Sequence, residues 1–376
     1  MKILQVSPYA MSRPGGVQTH IRDLSDWLIS QGHEVRIIAP PGPAHVKEHE
    51  TVLPFGHCRT ISLHGTSFEI SRASRRELRD LQTQLTGWGA DHASTVMHLH
   101  TPWTPMMPWQ VWRKMAVPSV ATFHATLPTA AKFDPMDAFL RRAASYFNKR
   151  LAQLIVPSDA PRQQWIAAGA APVPAILPPT INLCAWREAG TKSIRTPAKF
   201  RIVYMGRLEA RKGVDVLLCA WPEIRRAVPN AELIIAGDGE LRTEIAARIA
   251  TFDGSDVSLR PPPSNTEAHR LIANADIFAA PALHGESFGL VLIEAMAAGT
   301  LPVAANNAGF ATVMTGEGAE LLVPAGDAGA LAQKIIALAG DPTRRDALQT
   351  WATKHANNFD VATVGPQYLT LYQSLK

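Results

Sequence analysis

The sequence predicts an α/β protein made of two Rossmann-like domains, each built on a parallel sheet. Short apolar runs alternate with helical patterns along the whole chain, which is the order that parallel sheets and their covering helices require. The chain has 376 residues, more than a single hydrophobic core usually organises. Because 46% of the residues are hydrophobic, the chain can fill the cores of two domains.

The expected strands fall into two groups along the chain. In the first half they are Ile3–Val6, Glu34–Ile38, Val96–Leu99, Ser119–Phe123 and Leu154–Val156. In the second half they are Arg201–Tyr204, Glu232–Ala236, Val257–Leu259, Ile277–Ala279 and Leu301–Ala304. A proline-rich segment, 169–180, and a polar stretch, 187–199, separate the groups, so we place the boundary near Pro179. The domains would span 1–179 and 180–360, followed by a helix within 361–376.

Composition restricts the setting and the partners. No apolar run reaches the eighteen residues of a membrane span, and the first apolar stretch breaks at Ser7-Pro8, too soon for a signal peptide. We therefore expect a cytoplasmic protein. Cys58, Cys184 and Cys219 are too widely spaced for a disulfide framework or a zinc site. A formal charge of +5 favours an anionic partner, but charge alone does not choose among a nucleotide, a phospholipid surface and nucleic acid.

Glu286 and Glu294 frame the start of a helix. Ser287 is the expected N-cap, Leu290–Ala298 is composed of strong helix formers, and Gly299 is a natural stop. The free N–H groups of a helix start suit a phosphate, whereas glutamates would repel it and suit hydroxyl groups on either side. A sugar nucleotide has this layout of sugar, diphosphate and ribose. The alternative is one glutamate that complements the helix dipole and a second that is simply exposed.

A basic loop follows the first strand of the second half. Arg207 offers a planar fork and Lys212 a point charge, and this pair suits a diphosphate leaving group whose charge grows as a glycosidic bond breaks. The alternative is an ordinary solvated loop.

A rival pattern follows the next strand, where Gly237-Asp-Gly239 opens a helix as a dinucleotide fingerprint does. Arg242 replaces its third glycine, and the unit lies in mid-chain. We therefore disfavour a dehydrogenase.

Glycines and histidines mark the strand ends of the first half. Gly15 and Gly16, after the first strand, let backbone N–H groups approach a ligand closely. His124, at another strand end, can exchange a hydrogen bond with a substrate or serve only as a polar loop residue. His98 and His100 share one face of a strand, but two ligands are too few to predict a metal site.

A basic helix is expected near residue 75. Arginines recur at helical spacing on one side, with leucines on the opposite side, as in Arg72, Arg75, Arg76 and Arg79 against Leu78, Leu81 and Leu85. This pattern is typical of a solvated surface helix, and it also fits contact with anionic lipid headgroups.

These motifs resemble those of a known family. Glu286-Ser-Phe-Gly with Glu294-Ala-Met-Ala-Ala-Gly299, together with Gly206-Arg207-Leu and Arg211-Lys212-Gly213, resembles the retaining glycosyltransferases of family four. Their GT-B fold places two Rossmann-like domains across a central cleft. Pro14-Gly15-Gly16-Val17-Gln18 and Ala121-Thr-Phe-His124 are similar to segments of the bacterial phosphatidyl-inositol mannosyltransferases within that family.

The resemblance implies roles for individual residues. The residues implied at the reacting centre are His124, Arg207, Lys212 and Glu286, with His124 and Glu286 on the transferred sugar. The donor would also contact Gly15, Gly16, Ser287, Phe288, Gly289, Leu290 and Glu294, the last of these through the ribose. Tyr9, Gln18 and His64 would contact the acceptor, and Arg72, Arg75, Arg76 and Arg79 an anionic membrane surface.

The implied activity is transfer of a sugar, with retention of configuration, from a nucleoside-diphosphate sugar to a lipid-linked or glycan acceptor. Mannose from GDP-mannose is favoured, and front-side attack needs no enzyme nucleophile. Neither a cofactor nor a metal ion is expected, since the chain has no Asp-x-Asp pair, and nucleic acid is not an expected partner. The C-terminal helix would pack on the first domain, and the protein would lie in the cytoplasm or at the inner face of the plasma membrane.

Two other functions fit the same scaffold. A sugar-nucleotide epimerase would bind a similar donor without an acceptor, and a non-catalytic protein would only bind the sugar nucleotide. The segments 63–66 and 125–128 depart from the mannosyltransferase pattern, and this leaves the acceptor open.

Overall fold

The computed structural model describes residues 1–43, 49–63, 66–102, 107–124, 135–194, 198–252, 254 and 256–376. They form two compact units: unit 1 comprises Met1–Asn182 and Phe359–Lys376, and unit 2 comprises Leu183–Asn358. The chain therefore passes from unit 1 to unit 2 a few residues after Pro179. Its last segment belongs to unit 1 again.

Helices and strands alternate in both units. Those before the junction are β1 Lys2–Val6, α1 Gly16–Ser30, β2 Glu34–Ala39, β3 Val52–Pro54, β4 His57–Leu63, β5 Thr66–Arg72, α2 Arg75–Gly87, β6 Thr95–His100, α3 Met107–Lys114, β7 Ser119–Thr122, α4 Pro135–Asn148, β8 Gln153–Val156, α5 Asp159–Ala167 and β9 Ala175–Ile176. Those of unit 2 are α6 Cys184–Thr191, β10 Phe200–Met205, α7 Val214–Ala227, β11 Ala231–Ala236, α8 Arg242–Ile249, β12 Val257–Arg260, α9 Asn265–Ala273, β13 Ile277–Ala280, α10 Leu290–Ala297, β14 Leu301–Ala305, α11 Ala308–Val313, β15 Leu322–Val323, α12 Ala328–Gly340 and α13 Pro342–Ala356. Helix α14, Val361–Gln373, returns to unit 1. None of the described helices is both long and apolar enough to cross a membrane.

The sheet of unit 1 has the order β3-β2-β1-β6-β7-β8-β9 and is parallel throughout. It contains all the strands that the sequence predicts for this half. Strands β3 and β9 were missed because three and two residues are too few to show a pattern. The antiparallel hairpin of β4 and β5 was missed as well.

Side chains on the central strands of unit 1 alternate between two covered faces. Leu4, Met97 and Ala121 pack in the core beneath α2, α3, α4 and α5. Their neighbours Ile3, Val96 and Val120 face the opposite side and pack with α1 and α14. Helix α14 joins this second core through the buried side chains of Val364, Tyr368 and Tyr372.

The sheet of unit 2 has the order β12-β11-β10-β13-β14-β15 and is also parallel. Every strand predicted for this half is present, and only the two-residue β15 was missed. In both units the strand order reverses direction beside the first strand, at β1/β6 and β10/β13. In open parallel sheets this switch point is where loops separate and ligands bind.

Two helix starts differ from the sequence prediction, although α10 does begin at the predicted residue, Leu290. Helix α10 follows Gly289, whose φ of 119° favours glycine, so the predicted N-cap Ser287 was wrong. Helix α2 begins at Arg75 because Ser74 forms a capping box with Glu77. Arg72 therefore ends strand β5 and is not part of the basic helix, contrary to the expected helical spacing.

Gly213 offers a test of the junction between two loops of unit 2. Its φ is +70°, and a Cβ atom there would lie 2.1 Å from the carbonyl oxygen of Pro281. Gly316 also has a positive φ, +59°, but faces open space. We expect Gly316→Ala to cost about 1 kcal/mol from the backbone conformation alone, and Gly213→Ala to cost at least about 2 kcal/mol more because of the clash. Thermal unfolding of both variants measures the difference, and equal midpoints would contradict it.

Candidate active site

A chain of ion pairs lies at the carboxyl ends of β10 and β13 in unit 2. Glu286 Oε1 accepts from Lys212 Nζ at 2.5 Å and lies 3.6 Å from Arg211 Nη1. Glu209 binds Arg211 Nε at 3.0 Å through one oxygen and Arg207 Nη1 at 2.7 Å through the other. The ion pairs thus connect these side chains in the order Arg207, Glu209, Arg211, Glu286 and Lys212. Three cations face two carboxylates, so the cluster has an excess of one positive charge.

Exposure differs among these side chains in a way that bears on function. The Arg207 side chain is 55% exposed, whereas those of Lys212 and Glu286 are 22% and 14% exposed. Arg207 is therefore more accessible to a ligand than Arg211 or Lys212. Lys212 and Glu286 neutralise one another, and both contacts to Glu286 use the same oxygen, Oε1. A strong anion that drew Lys212 away would release the Glu286 carboxylate for another partner.

Backbone contacts fix the two loops that carry these residues. Leu283 N–H donates to the carbonyl of Arg211 at 2.8 Å, beside the tight approach of Gly213 to Pro281. On the other side, a Cβ atom on Gly309 would lie 2.3 Å from the carbonyl oxygen of Glu286. Only glycine permits both approaches. The carboxylate of Glu286 is therefore held by a rigid backbone on either side.

The Gly237-Asp-Gly239 turn braces the basic loop. Cβ atoms on Gly237 and Gly239 would meet the carbonyl oxygens of Gly206 and Leu208 at 1.9 and 2.5 Å. Leu208 N–H donates to the carbonyl of Asp238 at 2.9 Å, and Leu241 N–H donates to that of Leu208 at 3.0 Å. The glycines thus allow two loops to touch. A close contact between protein loops accounts for this pattern without a dinucleotide.

The start of α10 lies next to Glu286. The N-cap is Gly289, which has no side chain to cap the helix. Phe288 is buried, while Ser287, Leu290 and Glu294 are partly exposed. These residues form one continuous segment with Glu286. An N-terminal helical turn without a side-chain cap attracts an anion.

Tyr204 supports the basic loop that carries Arg207. Its hydroxyl donates to the carbonyl of Arg207 at 2.8 Å. Burial, followed by the negative charges of Glu286 and Glu209, raises the pKa of the Tyr204 phenol well above its ordinary value. The hydroxyl therefore keeps its proton and fixes the backbone that carries Arg207.

Histidines gather at the carboxyl ends of β1, β6 and β7 in unit 1. His124 Nε2 lies 2.8 Å from His100 Nδ1, and His100 Nε2 lies 2.7 Å from Gln5 Oε1. Burial lowers the pKa of His124 to about 3, and chiefly burial holds the pKa of His98 and His100 well below 6.5. All of these rings are therefore neutral at physiological pH.

His20 of α1 completes the histidine cluster, which includes a group with metal-ligand spacing. Nitrogen atoms of His20, His100 and His124 lie within 4.8 Å of one another. The backbone N–H of Thr180 donates to His20 Nδ1 at 2.9 Å, so Nε2 of this neutral ring carries the proton. His20 is thus arranged as a hydrogen-bond donor, which does not suit a metal ligand. That the protein needs no metal ion remains a prediction.

The glycine loop after β1 leads into α1. Gly15 and Gly16 are exposed, and Gly16 is the first residue of the helix. Tyr9 is partly exposed, but Gln18 is only 7% exposed, and its amide lies over Gly15, where a Cβ atom would meet Oε1 at 2.5 Å. Gln18 therefore supports the loop more readily than it meets an acceptor. The third predicted acceptor contact, His64, lies outside the described residues.

The basic surface of unit 1 is larger than the sequence suggested. Arg72, Arg75, Arg76 and Arg79 are exposed, and Leu81 and Leu85 are buried on the opposite side of α2. Exposed cations also lie on the last turn of α3, in the middle of α4 and just beyond α4, namely Arg113, Lys114, Arg141, Arg142, Lys149 and Arg150. These three helices cover the same face of the sheet. We call the cations of α2, α3 and α4 the basic surface.

Several participants were not foreseen from the sequence. Glu209 and Arg211 join the ion pairs, and Gln5 and His20 join the histidine cluster. The signal for Glu209 and Arg211 was present, since both lie between Arg207 and Lys212 in the loop. Gln5 and His20 occupy positions where the sequence pattern predicts a buried apolar residue. A polar residue at such a position is uncommon and indicates a buried hydrogen-bond network.

Family models match most of the chain in two parts. Residues 14–183 match the model described as Glycosyltransferase Family 4, and residues 199–341 match the model described as Glycosyl transferases group 1. A phosphatidyl-myo-inositol mannosyltransferase from Mycolicibacterium smegmatis is 30% identical over 378 residues, with 100% of this chain and 94% of that protein covered. A D-inositol 3-phosphate glycosyltransferase from Segniliparus rotundus is 25% identical, with 99% and 88% covered.

Solved structures share the fold. A crystal structure of HepE from Anabaena in complex with UDP and glucose has a TM-score of 0.75 at 20% identity, with 100% of both chains covered. A sucrose-phosphate synthase from Thermosynechococcus elongatus has a TM-score of 0.74 at 21% identity, with 100% of this chain and 98% of that chain covered. At these identities the likeness shows the architecture alone.

The buried histidines predict how stability depends on pH. A histidine that is neutral when folded but titrates near 6.5 when unfolded binds fewer protons in the folded state at acidic pH. Stability should therefore fall as pH drops below about 6.5, by up to about 1.4 kcal/mol per pH unit for each such residue. His98→Asn should reduce this slope relative to wild type, and His92→Asn, at an exposed site, should leave it unchanged. Denaturation at pH 7.5, 6.5 and 5.5 measures the slopes, and identical slopes for all three proteins would rule out the explanation.

Proposed function

Because the chain belongs to glycosyltransferase family 4, with the GT-B fold, we propose that it transfers a hexose from a nucleoside-diphosphate sugar with retention of configuration. The acceptor is a lipid-linked or glycan hydroxyl. Mannose from GDP-mannose is the favoured donor, since relatives named as mannosyltransferases align along the full chain. The observation that carries the proposal is the ion-pair chain of Arg207, Lys212 and Glu286 at the switch point of unit 2.

The ion-pair chain suits a departing diphosphate. The cluster has one cation in excess, Arg207 is exposed, and the first turn of α10 adds backbone N–H groups at the positive end of the helix dipole. Negative charge on the leaving group grows in the transition state. These fixed cations and N–H groups therefore stabilise the transition state more than they stabilise the bound sugar nucleotide. Glu294, in the same helix, is assigned to the ribose.

Lys212 and Glu286 act as a pair in this proposal. Before the donor binds, Lys212 is neutralised by Glu286 at 2.5 Å. A diphosphate carries more charge than one carboxylate and competes for the ammonium group. The released Glu286 oxygen then accepts hydrogen bonds from hydroxyls of the transferred sugar. Binding of the donor thus prepares the residue that orients the sugar.

His124 is assigned to the sugar and not to proton abstraction. With a pKa of about 3, its imidazole is too weak a base to deprotonate an alcohol at neutral pH. The acceptor proton would instead pass to an oxygen of the donor phosphate during front-side attack. This mechanism requires neither an enzyme nucleophile nor a general base, and we propose that it proceeds without a metal ion or cofactor.

Product analysis tests this function against its alternatives. The protein is incubated with GDP-mannose, GDP-glucose or UDP-glucose, with and without phosphatidylinositol or a bacterial lipid extract. Transfer predicts a glycosylated product only with acceptor, and NMR of its anomeric carbon reports retention. A changed sugar nucleotide without acceptor would indicate an epimerase. Tight donor binding with neither product would indicate a non-catalytic protein.

Removal of the Lys212 charge should affect catalysis strongly. We expect Lys212→Ala to lower kcat/KM by about 10²- to 10³-fold, as for the loss of one fixed transition-state donor. Lys199→Ala is the matched control, because Lys199 also pairs with a glutamate of unit 2, Glu232, but lies at the amino-terminal end of β10. Steady-state kinetics with saturating acceptor measure both. Near-normal turnover of Lys212→Ala would remove this residue from the mechanism.

The basic surface provides a place for a lipid acceptor to be presented. In α4 and just beyond it, Arg141, Arg142, Lys149 and Arg150 are exposed, and no ion pair to another described residue neutralises them. Helix α2 is closer to balance, since Arg76 lies 4.0 Å from Asp80. Each unpaired cation near an anionic lipid surface contributes about 1 kcal/mol. We therefore propose peripheral binding to anionic membranes, with α4 contributing more than α2.

Vesicle binding tests the basic surface. Exchange of Arg141, Arg142 and Arg150 for glutamate should weaken binding to phosphatidylglycerol vesicles by more than about 100-fold, with little effect on phosphatidylcholine vesicles. Exchange of three exposed cations of unit 2, Arg226, Arg270 and Lys354, for glutamate makes the same change in net charge and should weaken binding far less. Co-sedimentation at low and high salt measures the partition. Equal losses in both triple variants would show that only net charge matters.

A further inference from the structure

A line of polar side chains runs from His124 to the C-terminal helix of unit 1. Its members in order are His124, His100, Gln5, Tyr372, His98, Thr122 and Tyr368. All except His124 have at most 1% of their surface exposed, so they must satisfy one another. The direction of every hydrogen bond in this relay can therefore be deduced from its neighbours.

The hydrogen-bond directions are fixed first at the Tyr368 end of the relay. The hydroxyl of Tyr368 lies 3.3 and 3.2 Å from the carbonyl oxygens of Leu177 and Pro178, and a carbonyl can only accept. Tyr368 therefore donates to the backbone and accepts from the hydroxyl of Thr122. The Thr122 oxygen in turn accepts from His98 Nε2 at 2.7 Å.

The next two members set the orientation of Gln5. With its proton on Nε2, the neutral His98 ring accepts at Nδ1, so the Tyr372 hydroxyl donates there at 2.6 Å. The only role left to the Tyr372 oxygen is to accept, and it accepts from the side-chain NH₂ of Gln5 at 3.5 Å. The amide of Gln5 must then present its oxygen to His100.

The near end of the relay determines the tautomer of His124. His100 Nε2–H donates to Gln5 Oε1 at 2.7 Å, which leaves His100 Nδ1 as an acceptor. His124 Nε2–H donates to that nitrogen at 2.8 Å. The remaining nitrogen of His124, Nδ1, therefore holds a lone pair.

We propose that Tyr372 and Tyr368 are positioning residues that act through this relay to hold His124 as its Nε2–H tautomer, so that Nδ1 accepts a hydrogen bond from a hydroxyl of the transferred sugar. The tautomer follows from the contacts of unit 1, and only the hydroxyl contact rests on the proposed function. A fully ionised phosphate has no proton to donate to a lone pair. His124 thus recognises a sugar hydroxyl and not the leaving group.

Tyr372 controls the relay because its hydroxyl oxygen accepts from the side-chain NH₂ of Gln5 and so favours one orientation of the amide. Without its hydroxyl, the Gln5 side chain can rotate by half a turn and present NH₂ to His100. His100 would then accept at Nε2 and donate from Nδ1, and His124 would be forced to protonate Nδ1. Removal of the Tyr372 hydroxyl would in this way reverse the hydrogen-bonding character of His124, three members away in the relay.

The tautomers can be measured in the wild-type protein by NMR of ¹⁵N-labelled histidine. Two-bond couplings from the ring protons distinguish a protonated nitrogen from a bare one, and the spectrum of His124→Gln assigns the signals of His124. We expect His98, His100 and His124 each to carry a proton on Nε2 only. A proton on Nδ1 of His124 would overturn the proposal, and this result needs neither substrate nor a relay variant.

The variant Tyr372→Phe tests the role of the tyrosine. We expect it to convert His124 into a mixture of tautomers, while Tyr146→Phe, which removes a hydroxyl bonded to Trp109 of the same unit, leaves His124 unchanged. An unchanged His124 spectrum in Tyr372→Phe would refute control by Tyr372. If Tyr372→Phe does not fold, Gln5→Met serves in its place: it removes the acceptor of His100 Nε2–H, so His124 should likewise become a mixture of tautomers. An unchanged His124 spectrum in Gln5→Met would equally refute the relay.

Kinetics separates this role from a merely structural one. In Tyr372→Phe we expect kcat to fall as the measured fraction of the Nδ1–H tautomer of His124 rises. The expected fall is about two- to tenfold, the effect of the one hydrogen bond that the Gln5 amide loses. The KM for the sugar nucleotide should change less. A fall in kcat without a tautomer change would contradict the relay. If no sugar transfer occurs at all, the proposed function fails while the tautomer measurements still decide the relay.

Discussion

The constraint on which both candidate sites depend is that parallel strands end at the same edge of their sheet. In unit 1 this edge collects Gln5, His100 and His124 from three neighbouring strands, and in unit 2 it collects Arg207 and Glu286 from the loops after β10 and β13. Alternation along each strand then decides which side chains share a face. A shift of one residue in register would place Leu99 where His100 lies and would remove the hydrogen bonds of the relay.

Buried polar groups need hydrogen-bond or ionic partners, and the two units supply these partners in different ways. Unit 1 uses neutral rings, an amide and hydroxyls, each of which both donates and accepts, so a long chain can close on backbone carbonyls. The ion-pair chain of unit 2 uses full charges in alternating order, so that Glu209 and Glu286 each contact a cation. In unit 2, Gly213, Gly237, Gly239 and Gly309 let the supporting loops come close enough to fix this geometry.

The sequence predicted the architecture well because apolar periodicity reports directly on burial. Every predicted strand is present, and the strands it missed are very short or belong to a separate hairpin. Helix starts were less predictable: Ser287 looked like a cap, but the left-handed conformation at Gly289 delays the helix, and no local pattern distinguishes these choices. Within the candidate sites, loop residues such as Arg207 and Glu286 were found because their motifs are contiguous. The relay was missed because Gln5, Thr122 and Tyr372 are distant in the sequence, and nothing local in any of them indicates the others.

The charges of the two clusters match the chemistry assigned to them. The clustered histidines of unit 1, His20, His98, His100 and His124, have pKa values too low for protonation near neutrality, so the cluster presents no net charge. Its neutral groups can recognise hydroxyl groups but lack the positive charge that attracts a phosphate. The loops of unit 2 carry one positive charge in excess, and their cations pair with carboxylates that a diphosphate can displace. In the proposed reaction the transferred sugar is neutral and the leaving group is anionic. It follows that a change of charge at His124, and not only its removal, should be as harmful as a change of charge at Lys212.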